Sequence, residues 1–208
     1  MKTTVTKLDA AKRQLCCAIR MFFADEDAIA VYTLANAALE IFEGRPKKGS
    51  QRGAKTRLFD VLKTTTTYQN VSSEKEAWKR VHEAKNFFKH RGSLQKSVVF
   101  DEEANDGVLW FACAHYVNET ALAQQPSEVA AFIIWFIATQ AILHNPDQRA
   151  QIDNLCPGVR TASQQEQKRF GRQLIEDAVA DRLPFRISRF GEFVLGANPV
   201  PTGGHNAR

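Results

Sequence analysis

The feature that most restricts the fold of this chain is an unbroken run of apolar residues from Val129 to Ala138. A helix that crosses a bilayer needs about 20 apolar residues, so this run is too short to span a membrane. It also lacks the polar side that a surface helix turns toward water. We therefore expect it to form a central buried helix or part of an oligomer interface, with Trp135 and Phe136 in the core rather than on a ligand surface.

In the other long segments, apolar residues recur at helical spacing, which predicts further helices. The first is expected from Thr6 to about Phe23, and the second from the acidic triplet Asp25–Asp27 to Gly44, with Asp as a cap at the positive helix end. Later helices are expected at Glu74 to about Gly92, Ala104 to about Leu122, Ser127 onward, and Ser163 to Asp181. These segments predict an all-α protein, an antiparallel helical bundle of about five to seven helices.

The remaining stretches predict breaks or irregular structure. A short helix is expected at residues 58–63, and residues 64–71 and 96–101 favour extended structure because of their β-branched side chains. Prolines at 146 and 157 indicate breaks at 144–147 and 156–158. We predict one domain over residues 1–195 and a disordered tail over 196–208.

Composition restricts the compartment more than the function. The formal charge of +5 permits contact with nucleic acid but is more often a solubility feature. The four cysteines lack both zinc-finger spacing and the density of a disulfide scaffold, so they are expected to be reduced core residues. With no signal-type run at the N-terminus and no membrane span, we expect a cytoplasmic protein.

Motifs of the common enzyme classes are missing from the sequence. It contains no P-loop, no dinucleotide-binding glycine pattern and no nucleophile motif. Cys113 and His115 lack the further ligand pair that a metal site requires. We therefore expect neither a cofactor nor a metal.

The segment 44–57 is basic, contains three glycines and has no acidic residue. One interpretation is a flexible arm that binds nucleic-acid phosphates through basic side chains, namely Lys47, Lys48, Arg52, Lys55 and Arg57. The alternative is a solvated loop, which the lack of an interleaved aromatic residue for base stacking favours.

The stretch from Glu74 to Gly92 carries the most informative polar pattern. Read as a helix, it places an apolar seam on one face, formed by Trp78, Val81, Ala84 and Phe88, and continuing that seam by a heptad from Trp78 reaches the charged Lys85. A second stripe beside the seam consists of polar residues at steps of four, His82, Asn86 and His90. A polar stripe at the edge of a buried face is a candidate site.

The run from Lys85 to His90 resembles the motif of HEPN domains, in which an Arg is followed by a small polar residue and then by a His near the end of a long helix. Asn86 matches the polar position and His90 the His, whereas Lys85 stands where the motif has Arg. Lysine keeps the positive charge but lacks the planar fork that grips a phosphate. HEPN domains are small antiparallel helical bundles; many are homodimeric ribonucleases, and others are non-catalytic partners of nucleotidyltransferase-like proteins.

The resemblance implies a catalytic site of Lys85, Asn86 and His90 in a metal-independent endoribonuclease that acts on single-stranded RNA, as part of a toxin or defence-type system. The His would exchange a proton with the ribose 2′-hydroxyl, the cation would stabilise the phosphate charge and the Asn would orient either group. On a continuous helix Lys85 and His90 point about 140° apart. A helix that ends near His90, or a partner subunit, would bring the groups together.

Two other interpretations stay open. Lys85 and His90 could be ordinary helix residues in a non-catalytic all-α module that dimerises or binds a partner, or the arm at 44–57 could bind nucleic acid by itself. A homodimer is expected because Trp110, Trp135 and Phe136 are large apolar groups for one chain of this size to cover.

Overall fold

The computed structural model describes residues 3–44, 73–89, 96–119, 125–140, 146–183, 185–189 and 192–195. The described residues form seven α-helices, one short 3-10 helix at Val159–Thr161 and two short strands. The helices are α1 (Lys7–Ala24), α2 (Ala28–Glu43), α3 (Glu74–Lys89), α4 (Ala104–Glu119), α5 (Ser127–Gln140), α6 (Pro146–Leu155) and α7 (Gln164–Val179). The prediction of an all-α helical bundle is confirmed.

Helices α1 and α2 begin and end where the sequence predicts. At the start of α1, the Thr6 hydroxyl accepts from the Asp9 backbone N–H and the Asp9 carboxylate accepts from the Thr6 N–H, a reciprocal capping box. The carboxylate of Asp27 caps α2 by accepting from the Ala30 N–H at 2.7 Å. Only a three-residue turn joins the two helices, so they lie antiparallel and pack together along their length.

Helix α5 lies at the centre of the core, as its apolar run predicts. Val129 and residues 131–138 are each at most 2% exposed. The helix contacts α1, α4 and α7, and its Phe136 ring stacks on the Trp110 ring of α4 with centroids 4.3 Å apart. The Trp135 indole N–H donates to the Gln167 carbonyl of α7 at 2.8 Å. The buried run therefore holds three other helices together.

The same burial removes the basis of the dimer prediction. Trp110, Trp135 and Phe136 are between 0% and 2% exposed within a single chain, so one chain covers these large apolar groups unaided. The homodimer stays a prediction without that support.

Helix α6 was not predicted, because Pro146 was interpreted only as a break. Proline fits the first position of a helix, because an N–H at that position has no acceptor within the helix. Helix α6 begins at Pro146. The helix buries Ile152, and the chain turns after it at the buried Cys156. The break at 156–158 is confirmed, since Gly158 there adopts a left-handed conformation with φ of 74°.

Helix α7 packs against α5 and α1, and among its residues only Gly171 and Leu174 are buried. Ser163 and Glu166 form the capping box at its start. Helix α7 meets α1 at Gly171, where an added Cβ would lie 2.1 Å from Cε1 of Phe23. Glycine at this position lets the two helices touch.

The two strands were also not predicted. Phe185–Arg189 and Glu192–Leu195 pair antiparallel, with Phe185 opposite Leu195 and an irregularity between Ile187 and Arg189. The described part of the predicted extended stretch, residues 96–101, forms no strand or helix.

Several predictions fall outside the described residues: the basic arm with its five candidate residues, the helix at 58–63, the extended stretch at 64–71 and the tail at 196–208. Within the described ranges, no helix combines the length and the apolar character that a membrane crossing requires.

Candidate functional site

Helix α3 is placed by its apolar seam on α2. The Ser73 hydroxyl accepts from the Glu76 N–H at 3.2 Å and so caps the start of the helix. Near its other end Ala84 is 8% exposed, and the ring of Phe88 lies 6.2 Å from that of Tyr32 on α2, between centroids. The side chains of Trp78, Val81 and His82 lie outside the described set.

Lys85 is directed from this seam to a carboxylate of α2. Its Nζ lies 3.1 Å from Oε1 of Glu40, and its side chain is only 14% exposed. A buried charge without a partner is unfavourable, so the ion pair compensates Lys85 where the sequence placed a charge on an apolar seam. The Lys85 charge is thus paired within the bundle.

Glu40 binds a second lysine with its other oxygen. The Lys89 ammonium, one turn after Lys85, donates to Oε2 of Glu40. These bonds, the Lys89 bond first, hold the pKa of Glu40 below its ordinary value even though partial burial acts in the opposite direction. One carboxylate therefore holds two ammonium groups, and this cluster of three residues carries a net charge of about +1 near neutral pH.

Of the three residues in the predicted catalytic site, the structure describes two. Asn86 follows Lys85 on the last turns of α3 and its side chain is exposed. The described helix ends at Lys89, and His90 lies outside the described residues. The structure thus brings Lys85 and Lys89 together on Glu40, with Asn86 beside them.

Glu40 is the site residue that sequence reasoning missed. The sequence places Asn36 and Glu40 four apart on one face of α2, with solvation or backbone capping as the favoured interpretation for both. Asn36 is neither solvated nor a cap on a neighbour, because it is 3% exposed and its amide donates to the Tyr32 carbonyl of its own helix at 2.9 Å. Glu40 does not fit that interpretation either, and only the packing of α2 on α3 identifies its partners.

A second polar cluster lies where α4 begins and α5 ends. The Gln140 amide donates to the carboxylate of the partly buried Asp106 at 3.3 Å. Burial raises the pKa of Asp106 to about 7, the nearby charges of Glu103 and Asp101 act in the same direction, and Lys168 acts against them. This cluster is structural in character, since it joins two packed helices.

Three of the four cysteines are buried thiols. All four are free; three are buried, and Cys17 is partly buried. Burial raises the pKa of Cys16 to about 12, that of Cys156 to about 11 and that of Cys113 well above its ordinary value. Three of the four thiols are therefore protonated core groups at neutral pH, as predicted.

The described part of the chain contains no group of three or more His, Cys, Asp or Glu side chains that could hold a metal ion. Comparisons with protein-family models, with curated proteins and with solved structures found no match to this chain.

Proposed function

We propose that this protein acts on single-stranded RNA, as a HEPN-like helical bundle with a cleavage site formed by Lys85, Asn86 and His90. The observation that supports the proposal is the arrangement on the last turns of α3, where Lys85 and Lys89 converge on Glu40 with the exposed Asn86 beside them. Two ammonium groups and one carboxylate leave a net positive charge that an RNA phosphate can approach. His90 is the next residue after the described helix.

Each residue has a separate role in this proposal. His90 accepts the proton of the ribose 2′-hydroxyl, and the 2′-oxygen bonds to the adjacent phosphorus to form a 2′,3′-cyclic phosphate. The bond from phosphorus to the 5′-oxygen of the next nucleotide breaks, and that oxygen takes its proton from water. Lys85 stabilises the extra negative charge that the phosphate carries during the displacement. Asn86 orients the phosphate through its amide. No metal takes part in these steps.

We further propose that the protein is a homodimer, as many proteins with the motif are, so that groups from two subunits meet at one site. The compartment in this proposal is the cytoplasm, which the free cysteines support, because thiols stay reduced there.

The test is cleavage of a labelled single-stranded RNA by purified protein in the presence of a chelator. His90→Ala should lower the rate by at least about a hundredfold, because a positioned acid or base contributes about 10² to 10⁴ in rate. Lys85→Arg should keep or raise the rate, because it restores the bidentate phosphate contact. Wild-type protein that does not cleave, or that cleaves no faster than His90→Ala, would contradict the proposal.

A further variant tests whether Lys85 itself meets the phosphate. Glu40→Gln removes the carboxylate that competes with RNA for both lysines, so we expect a higher kcat/KM, with kcat raised because Lys85 acts on the charge that develops during the displacement. An unchanged kcat/KM would place the phosphate away from Lys85.

The second candidate function is a non-catalytic all-α module that binds a partner. It is favoured by one observation, that the Lys85 charge already has a partner in Glu40 and needs no ligand. In that case His90→Ala and Lys85→Arg leave RNA intact and alter only the melting temperature.

A further inference from the structure

The outer face of α3 carries a row of polar side chains, of which only Asn86 belongs to the proposed cleavage site. Lys75, Lys79, Asn86 and Lys89 are all exposed. At 100° per residue their positions fall within an arc of about 80° on the helix. We call these four residues the α3 basic face.

The packing of α3 keeps this face turned to solvent. Ala84, which is buried, and Phe88, which packs on the rings of Tyr32 and Phe100, lie about 180° and 220° round the helix from Lys75. The seam and the α3 basic face are therefore opposite sides of one helix. Since the seam is anchored on α2, the basic face is presented outward without any rearrangement.

Charge is distributed unevenly along the face. Lys89 is paired with Glu40, whereas no carboxylate among the described residues forms an ion pair with Lys75 or Lys79. The glutamates of the described helix, residues 74, 76 and 83, occupy positions outside the arc. Among the described side chains, the two lysines on the first turns of the face are thus in no ion pair, and the last turns carry the partly neutralised cluster.

From this arrangement we infer that the α3 basic face binds the phosphate backbone of a single-stranded RNA, leading it along the helix to Lys85 and Asn86. This inference rests on the proposed function, and it names the surface that holds the substrate. From Lys75 to Lys89 the helix spans about 21 Å, with the first two lysines about 6 Å apart along its axis. A flexible single strand can follow such a row of cations, and its phosphates are what the cations attract.

The face also determines what kind of recognition to expect. None of the described side chains in the arc is aromatic, so the face offers no surface for base stacking. Binding through it is therefore independent of sequence and strongly dependent on salt.

The experiment is fluorescence anisotropy of a labelled oligouridine titrated with full-length wild type, Lys75→Gln/Lys79→Gln and the control Lys7→Gln/Lys12→Gln. The control removes the same two charges from exposed positions of α1. We expect the α3 variant to bind at least about tenfold more weakly at low salt and to lose about 1.4 from the slope of log K against log salt, about 0.7 for each phosphate contact. The control should bind within about twofold of wild type.

Three results would overturn the inference: no binding by wild type, equal weakening in both variants, or no weakening in the α3 variant. A polyglutamate of matched charge, added as competitor, provides a further test. If it displaces the labelled RNA as well as unlabelled RNA does, the face fits an acidic peptide and the RNA assignment fails.

Cleavage of the same RNA separates this inference from the proposed function. Binding that depends on Lys75 and Lys79, without cleavage by wild type, supports the face and contradicts the cleavage site. Cleavage with the same KM in wild type and in the α3 variant supports the site and contradicts the face.

Discussion

At the scale of single residues, the most informative side chain is Glu40, because it decides how much charge α3 offers. Two lysines one turn apart bind its two oxygens, and without it both would add to the positive surface. The ion pair with Lys85, whose side chain is 14% exposed, is better shielded from solvent and salt than the one with Lys89, whose side chain is 50% exposed. Lys85 is thus held in place, and Lys89 is more available to a ligand.

The second informative residue is Asp106, whose raised pKa makes stability depend on pH. Its pKa is about 7 in the folded protein and returns to an ordinary value near 4 on unfolding. The folded state therefore binds the proton more tightly, so the stability that this group confers is complete below about pH 4 and is lost as pH rises to about 7. Glu103, Asp101 and Lys168 are the charged groups that act on it.

Asp106→Asn should remove this dependence while keeping an acceptor for the Gln140 amide. We expect the variant to be more stable than wild type at pH 8 by about 1 to 2 kcal/mol, a range that allows for partial exposure of the group. At pH 4 the two proteins should be similar. Urea unfolding at both pH values measures the difference, and an equal difference at the two values would contradict the assignment.

At the scale of helices, the contact between α1 and α7 depends on a missing side chain. Phe23 is fully buried, and its ring lies beside those of Phe22, Phe132 and Trp135, with centroid distances of 5.4 to 6.1 Å. The ring has no free space to move into when a methyl group is added at Gly171. Helix propensity and packing therefore act in opposite directions at this position.

Gly171→Ala should lower the free energy of unfolding. Alanine gains about 1 kcal/mol in helix propensity, but overpacking typically costs about 1 to 3 kcal/mol, and the overlap with Phe23 is severe. We expect a net loss of about 1 to 2 kcal/mol in urea unfolding. Gln165→Ala, at an exposed position of the same helix, is the control and should change little.

A double variant identifies the cause. Phe23→Leu makes room at the contact, so Gly171→Ala should destabilise that background less than it destabilises wild type. An equal loss in both backgrounds would show that the Phe23 ring is not the obstacle.

At the scale of the whole molecule, the bundle could be predicted because its helices bury apolar residues at helical spacing. The central position of α5 followed from ten successive apolar residues, the start of α2 from its acidic cap, and α1 and α7 from apolar residues at helical spacing. Each of these signals lies within a single segment of the chain, so it can be recognised without knowing how the segments pack. Helix boundaries were correct to within about three residues where both ends are described.

The features that were not predicted from the sequence also have physical explanations. Helix α6 carries few apolar residues, and a proline at its first position was interpreted as a break rather than a start. The two paired strands do have a signal in the sequence, since Phe185 and Ile187 alternate with polar residues before Gly191. No secondary structure is predicted for this segment above. The Glu40 cluster has no such signal in the sequence, because residues 40 and 85 meet only when α2 packs on α3.

The central claim, that α3 is the helix that meets RNA, is tested most directly by nuclear magnetic resonance of the labelled protein titrated with a 2′-O-methyl oligouridine. The methyl group blocks cleavage through the 2′-oxygen, so the spectra report binding alone. We predict that the largest amide shifts fall between Lys75 and Lys89, strongest at the four residues of the α3 basic face, and shrink as salt is added. Shifts that centre on another surface, such as the outer side of α1, or no shifts at millimolar oligonucleotide, would contradict the account.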